Sequence, residues 1–223
     1  MSRLILIPSP IGNLDDITNR AIETIKNADL ILCEDTRRTI KLLNHLGIKK
    51  TLKSYHKFNE HSIVEKIIND IKGGVKAGLL SDAGTPGISD PGYLIVKKCI
   101  DNHIDVECLP GPTALIPALV VSGLPSERFT FEGFLPIKKG RKTRLEELSS
   151  EKRTMIFYES PHKLIKTLTD FLKTFGPERQ ASVTKEISKV FESTLRGNLK
   201  EVLNQISDIK LKGEFVIVVG GMK

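Results

Sequence analysis

VKAGLLSDAGTPGISDPGYLIVKKCIDN, residues 75–102, carries a complete strand, loop and helix in one line. Residues 75–80 are apolar but for Lys76, as a short buried strand requires. The helix is expected from Asp90 to about Asn102, with Asp90 as N-cap and Pro91 at the first helical position. Between them, residues 81–92 hold three glycines, two prolines, two aspartates and no basic residue. Glycines let a backbone come close to a ligand, and prolines freeze the turns between them. A phosphate cradle uses the same devices but adds a lysine, and Asp82 would repel a phosphate. The loop suits a ligand that offers hydroxyls or positive charge. Asp82 directly follows the strand, so its carboxylate is expected to project from the carboxyl edge of a sheet into a cleft.

The same unit recurs on either side. Residues 4–8 read as a strand, and the rigid turn Pro8-Ser-Pro-Ile-Gly-Asn13 leads to a helix through Ile17, Ala21, Ile25 and Ala28. Residues 30–33 form a second strand, and Ile40, Leu43 and Leu46 mark a helix ended by Gly47. A strand at 51–55 precedes a helix expected to open with the capping box Ser62-x-x-Glu65. A strand at 104–109 and the loop Pro110-Gly-Pro-Thr-Ala114 lead to an apolar helix ending near Gly123. This βαβα alternation predicts an α/β fold with a mainly parallel, doubly wound sheet and ligand loops at the strands' carboxyl ends. After Arg128 the strands crowd together, at 129–134, 154–158, 180–186, 189–195 and 214–219. That spacing predicts a second α/β domain with a mixed sheet, and places the domains at 1–124 and 125–223.

Composition narrows the function. No apolar run approaches the length of a membrane span. The three cysteines and five histidines show no metal-ligand spacing, so no metal is expected. Motifs for dinucleotides, P-loop phosphates, zinc proteases and serine hydrolases are all missing. The net charge of +7 is compatible with a polyanionic partner. Lys138, Lys139, Arg141, Lys142 and Arg144 concentrate it in one run, expected as an exposed RNA-binding loop.

IPSPIGNLDDIT, CEDTRRT, YHKFNE, LLSDAGTPGISDPG, PGPTA, FYESPHK and TKEISKVFE, in that order, together resemble the small-subunit ribosomal RNA methyltransferases of the tetrapyrrole methylase-like superfamily. The resemblance spans essentially the whole chain. It implies two α/β domains forming a cleft for S-adenosylmethionine, a homodimer, and methyl transfer to the ribose 2′-hydroxyl of a cytidine in the decoding region; the cytoplasmic location is expected separately, from three cysteines in apolar contexts that read as free thiols. The acceptor would be small-subunit ribosomal RNA or the assembled small subunit. S-adenosylmethionine carries an ammonium, a sulfonium and ribose hydroxyls but no phosphate, which suits the acidic loop. By position, the resemblance assigns cofactor contacts to Pro10, Ile11, Gly12, Asp82, Gly84, Thr85, Thr113 and Ala114. It extends them to Phe157 and Tyr158 in the second domain, with Thr184 and residues 218–220 beyond. The chain departs from the family in reading VVGGMK where a Glu is expected near Gly220.

A ribose hydroxyl is a weak acid, so a base or a nearby cation must assist its attack. Glu34, Asp35, His56 and Glu60 are the candidates to take the proton, and the residues alone do not choose among them. Arg37 or Arg38 is suited to clamp an RNA phosphate bidentately. Glu159 and His162 are polar candidates from the second domain. Two other functions fit part of the pattern: a methyltransferase of the same superfamily acting on a small tetrapyrrole-like acceptor, and an RNA-binding module without catalysis.

Overall fold

The computed structural model describes residues 2–206 and 211–222. The chain divides into two compact units, Met1–Thr113 and Ala114–Lys223.

In the first unit β1 (Arg3–Ile7) leads through a 3-10 turn (Leu14–Asp16) to α1 (Asn19–Asn27). The Thr18 hydroxyl caps α1 by accepting the Ala21 N–H, and Ala21 and Ile25 bury its inner face. There follow β2 (Leu30–Cys33), α2 (Thr36–His45), β3 (Leu52–Ser54), α3 (Glu60–Lys72), β4 (Ala77–Leu80), α4 (Tyr93–Asp101) and β5 (Asp105–Cys108). The five strands pair in parallel in the order β3-β2-β4-β1-β5. All four residues of β4 are buried, which explains its unbroken apolar run. Gly78 is required there: a Cβ would meet the Ile7 and Ile31 side chains at 2.8 and 2.9 Å.

Helices α1 and α2 pack on one face of this sheet through Ile25 and Leu43, against Ile7, Ile31 and Leu80. Helices α3 and α4 pack on the other through Ile67, Ile68, Ile95 and Cys99, against Leu4, Leu32 and Leu79. The chain leaving β4 therefore passes to the opposite face from the chains leaving its neighbours β1 and β2. Such a switch point opens a crevice at the carboxyl ends of the strands.

The second unit runs α5 (Leu115–Ser122), β6 (Phe129–Gly133), α6 (Arg141–Ser149), β7 (Thr154–Glu159), α7 (Leu164–Phe175), β8 (Gln180–Lys185), β9 (Ser193–Asn198), α8 (Leu199–Ile206) and β10 (Phe215–Val219). Its sheet has the order β6-β7-β10-β8-β9, with β6 parallel to β7 and the other pairs antiparallel. The mixed sheet is as expected. Met155, Phe157, Leu168, Phe171 and Ile217 centre its core.

Four expectations change. Helix α5 packs on β8 and β10, so residues 114–124 join the second unit although the sequence groups them with the first. Helix α4 begins at Tyr93, leaving Asp90 and Pro91 in the loop, because the backbone at Gly92 closes against Gly87. Helix α3 begins at Glu60, two residues before Ser62, after a turn in which the Asn59 side chain accepts the His56 N–H and donates to the Ser54 carbonyl. Ser62 and Glu65 form no capping box: the Ser62 hydroxyl donates to the Asn59 carbonyl and Glu65 pairs with Lys98. Strand β9 starts at Ser193, beyond the expected Lys189, because Glu186 and Ser188 take positive φ in a tight preceding loop.

Candidate functional site at the carboxyl edge of the first sheet

Three loops leave β1, β4 and β5 side by side and are laced together by their own backbone. Ser9 and Gly84 exchange two backbone hydrogen bonds, each 2.9 Å. The Ser9 hydroxyl donates to the Ser81 carbonyl at 3.0 Å, and the Ser81 hydroxyl donates to the Gly84 carbonyl at 2.9 Å. Thr85 donates its hydroxyl to the Pro112 carbonyl at 3.0 Å. A Cβ on Gly111 would lie 2.6 Å from the Pro8 Cβ, so only glycine lets the β5 loop rest on the β1 loop. Gly84 has a φ of +83°, and a Cβ there would stand 3.4 Å from the Ile11 side chain. Pro10, Ile11, Gly12, Gly84, Thr85 and Thr113 thus share one backbone-rich edge. Ser9 and Ser81, which hold it, escaped the sequence reading; for Ser9 the available signal was a small polar residue between two prolines.

Asp82 follows β4 at this edge, and its carboxylate, expected to project into the cleft, is already engaged by protein groups. One carboxylate oxygen accepts the Asp35 N–H at 3.0 Å, and the other lies 3.4 Å from the Arg38 Nε. The β4 loop is thereby tied to the start of α2. A cavity of about 190 Å³ opens beside it, lined by Ser9, Pro10, Leu14, Arg38, Thr39 and Asp82.

Asp35 caps α2 by accepting the Arg37 N–H at 2.9 Å. It also holds the Arg37 guanidinium through two bonds of 3.0 and 2.7 Å. Hydrogen bonds from Arg37 pull its pKa down to about 2, so Asp35 is a poor proton acceptor. Glu34 behaves oppositely. Partial burial, and then the charge of Asp82, push its carboxyl above the ordinary range, while Arg38, His56 and Lys57 moderate the rise. The His56 Nδ1 accepts the Phe58 N–H at 3.3 Å. Glu60 accepts a 3.3 Å hydrogen bond from the buried Tyr55 hydroxyl, whose pKa burial and the Glu60 charge raise. Glu34 is thus a better proton acceptor than Asp35.

The second unit disperses several expected residues. Phe157 is fully buried and packs on Phe171 at 4.7 Å between centroids, so its side chain belongs to the core. Tyr158 is half-buried, edge-on to Phe131 and Phe134. Thr184 is fully buried against the Thr194 hydroxyl. Glu159 is buried, its oxygens accepting the Ser160 N–H and the Thr167 hydroxyl. Ala114 precedes α5 and is half-buried.

The basic run is not one exposed loop. Arg141 is only 8% exposed and binds Asp170, Thr167 and the Pro136 carbonyl, so it is an interior tie rather than a surface cation. Arg144 is engaged by Glu132 and Glu147. Lys138, Lys139 and Lys142 remain exposed. Among the described residues, no cluster of His, Cys, Asp and Glu could hold a metal, and no helix is long and apolar enough to cross a membrane.

A profile of the tetrapyrrole (corrin/porphyrin) methylases matches residues 3–203, and the chain belongs to that family. Within it, the chain is 48% identical to a ribosomal RNA small subunit methyltransferase I from Halalkalibacterium halodurans, over 98% of this chain and 75% of the relative. It is 43% identical to the protein of the same name from Thermotoga maritima, over 99% of each chain. Its fold is similar to that of uroporphyrin-III C-methyltransferase from Thermus thermophilus complexed with S-adenyl homocysteine. That match has a TM-score of 0.65 and 18% identity, over 97% of this chain and 96% of the other.

Proposed function

We propose that the chain transfers a methyl group from S-adenosylmethionine to the ribose 2′-hydroxyl of a cytidine in the decoding region of small-subunit ribosomal RNA. The observation that carries this reading is the meeting, at one sheet edge, of a backbone-lined acidic loop set with a carboxylate of raised pKa and exposed arginines. The loop residues fit the cofactor. Residues 8–13, 81–92 and 109–113 contain no lysine or arginine, and they present close-approaching backbone with Asp82 at its rim. Pro10, Ile11, Gly12, Gly84, Thr85 and Thr113 would hold it there. When bound, the cofactor supplies an electrophilic methyl on a positively charged sulfur.

The chain's own residues do the rest. Glu34 accepts the proton that the ribose hydroxyl loses as its oxygen bonds to the methyl carbon, and partial burial raises its affinity for that proton. Arg38 and Arg37, 64% and 86% exposed at the side chain, offer their outward N–H groups to the flanking phosphates. On the second unit, Lys138, Lys139 and Lys142 offer exposed cations of their own to RNA. Such cations support an RNA acceptor over a small tetrapyrrole-like one. The reading includes action as a homodimer, as the family resemblance implies, in the cytoplasm, which the free cysteines support.

Calorimetry with S-adenosylmethionine, then transfer of labelled methyl to small ribosomal subunits and mapping of the modified nucleotide, tests the proposal. A methyl on a base, or no transfer to RNA or subunits, refutes it.

A further inference from the structure

Phe58 stands out at this edge because nothing in the fold requires an aromatic ring there. It is 86% exposed and belongs to neither core of its unit. The backbone beneath it is nonetheless pinned. Its N–H is bound to the His56 Nδ1, the His56 N–H to the Asn59 side chain at 2.8 Å, and that side chain to the Ser54 carbonyl at 3.0 Å. The Lys57 ammonium lies 4.9 Å from the ring centroid, and the His56 ring meets it edge-on at 6.0 Å. An exposed ring on a rigid loop, beside a cation, loses little side-chain freedom when something flat is laid on it. The surroundings say what that is. The loop leaves β3 directly beside the end of β2, with the Tyr55 N–H on the Cys33 carbonyl at 2.8 Å and the Ser54 hydroxyl 3.5 Å from the Glu34 carbonyl, so the ring shares the neighbourhood of Glu34 and Arg38.

We infer that Phe58 is a stacking platform for an unpaired nucleobase of the RNA acceptor, with Lys57 reaching the adjoining phosphate. This rests on the RNA reading above and deepens it. Single-stranded RNA is held in this manner, by bases laid on aromatic faces and phosphates met by cations, and stacking is tolerant of base identity. Phe58 would then position the strand and not take part in the chemistry.

The chain contains no tryptophan, so Phe58→Trp places one fluorophore at the proposed platform. Titration of that variant with a single-stranded oligocytidylate is expected to quench its emission. A sugar–phosphate oligomer lacking bases should bind through the cations with little quenching. With the same oligocytidylate, Phe58→Ala should weaken binding about ten- to hundred-fold, and Phe58→Leu nearly as much, because a leucine is apolar but cannot stack. Phe58→Tyr should bind as the parent does, and S-adenosylmethionine affinity should be unchanged throughout. RNA binding with unaltered tryptophan emission, or full binding by Phe58→Leu, overturns the inference while leaving the RNA reading intact. So does a change in oligomeric state with RNA binding preserved, which would assign the ring to a protein contact. Failure of the unsubstituted protein to bind any RNA removes both readings together.

Discussion

Replacing Asp82 by Asn retains its shape and removes its charge, and the structure says what that should cost. The Asp35 N–H keeps an acceptor, but a neutral one, and a hydrogen bond to a charged group carries roughly twice the strength of a neutral pair. The 3.4 Å contact with Arg38 loses its ionic part, and because the Arg38 side chain is 64% exposed that part amounts to about 0.2–1 kcal/mol. Together these predict a loss of about 1–2 kcal/mol without cofactor, read as a lower midpoint in urea unfolding with unchanged slope. Asp82→Ala should cost about 1 kcal/mol more, because the part-buried Asp35 N–H then loses its partner. Cofactor affinity, measured by calorimetry, should fall about ten- to hundred-fold in Asp82→Asn. If Asp82→Asn is less stable by this amount yet binds S-adenosylmethionine normally, Asp82 is a strut between β4 and α2 and the reasoning about recognition is wrong.

Glu34→Gln should lower kcat by about 10²–10⁴ and leave cofactor affinity unchanged. The parent rate should rise with pH through a limb above the ordinary carboxylate range, since Glu34 works only when deprotonated and its pKa is raised; persistence of that limb in the variant would reassign the base. Arg141→Ala should destabilise the protein by about 1–3 kcal/mol, because the guanidinium is buried and holds Asp170, Thr167 and the Pro136 carbonyl at once, leaving Asp170 with Lys166 alone; a thermal melt matching the parent's would contradict the interior role. Charge reversal at Lys138, Lys139 and Lys142 should leave that melt unchanged while flattening the salt dependence of RNA binding by about one unit of slope per lost contact. Asp35, held down to about 2, should stabilise the start of α2 above about pH 4 and lose that contribution as pH falls through 2; exchange protection of the first α2 amides during acid titration is the measurement.

The alternating strands and helices of the first unit were legible because each element carries its own period and punctuation. Leu30–Cys33 was readable in full, and Ala77–Leu80 to within two residues, since a buried parallel strand is apolar at every position. Helix starts were less legible. Asp90-Pro91 and Ser62-x-x-Glu65 are good local signals, but the Gly87–Gly92 approach and the Asn59 turn satisfy the backbone differently. Helix α5 shows the same limit at the scale of domains, because which sheet an apolar helix covers depends on residues distant in sequence.

For the site, the local pattern determined which residues gather: parallel strands put their following loops at one edge, so Pro10, Glu34, His56, Asp82 and Thr113 had to meet there. What each side chain does was decided only by tertiary structure. Asp35 and Asp82 are alike as letters, yet one caps a helix and the other accepts a 3.0 Å hydrogen bond from the Asp35 N–H, while partial burial raises the pKa of the adjacent Glu34. Arg141 and Lys142 are neighbours in one basic run, yet helical geometry turns the first into the core and the second into solvent. A sequence fixes periodicity through local sterics, whereas burial and charge pairing arise from contacts between distant residues, and those set pKa and exposure.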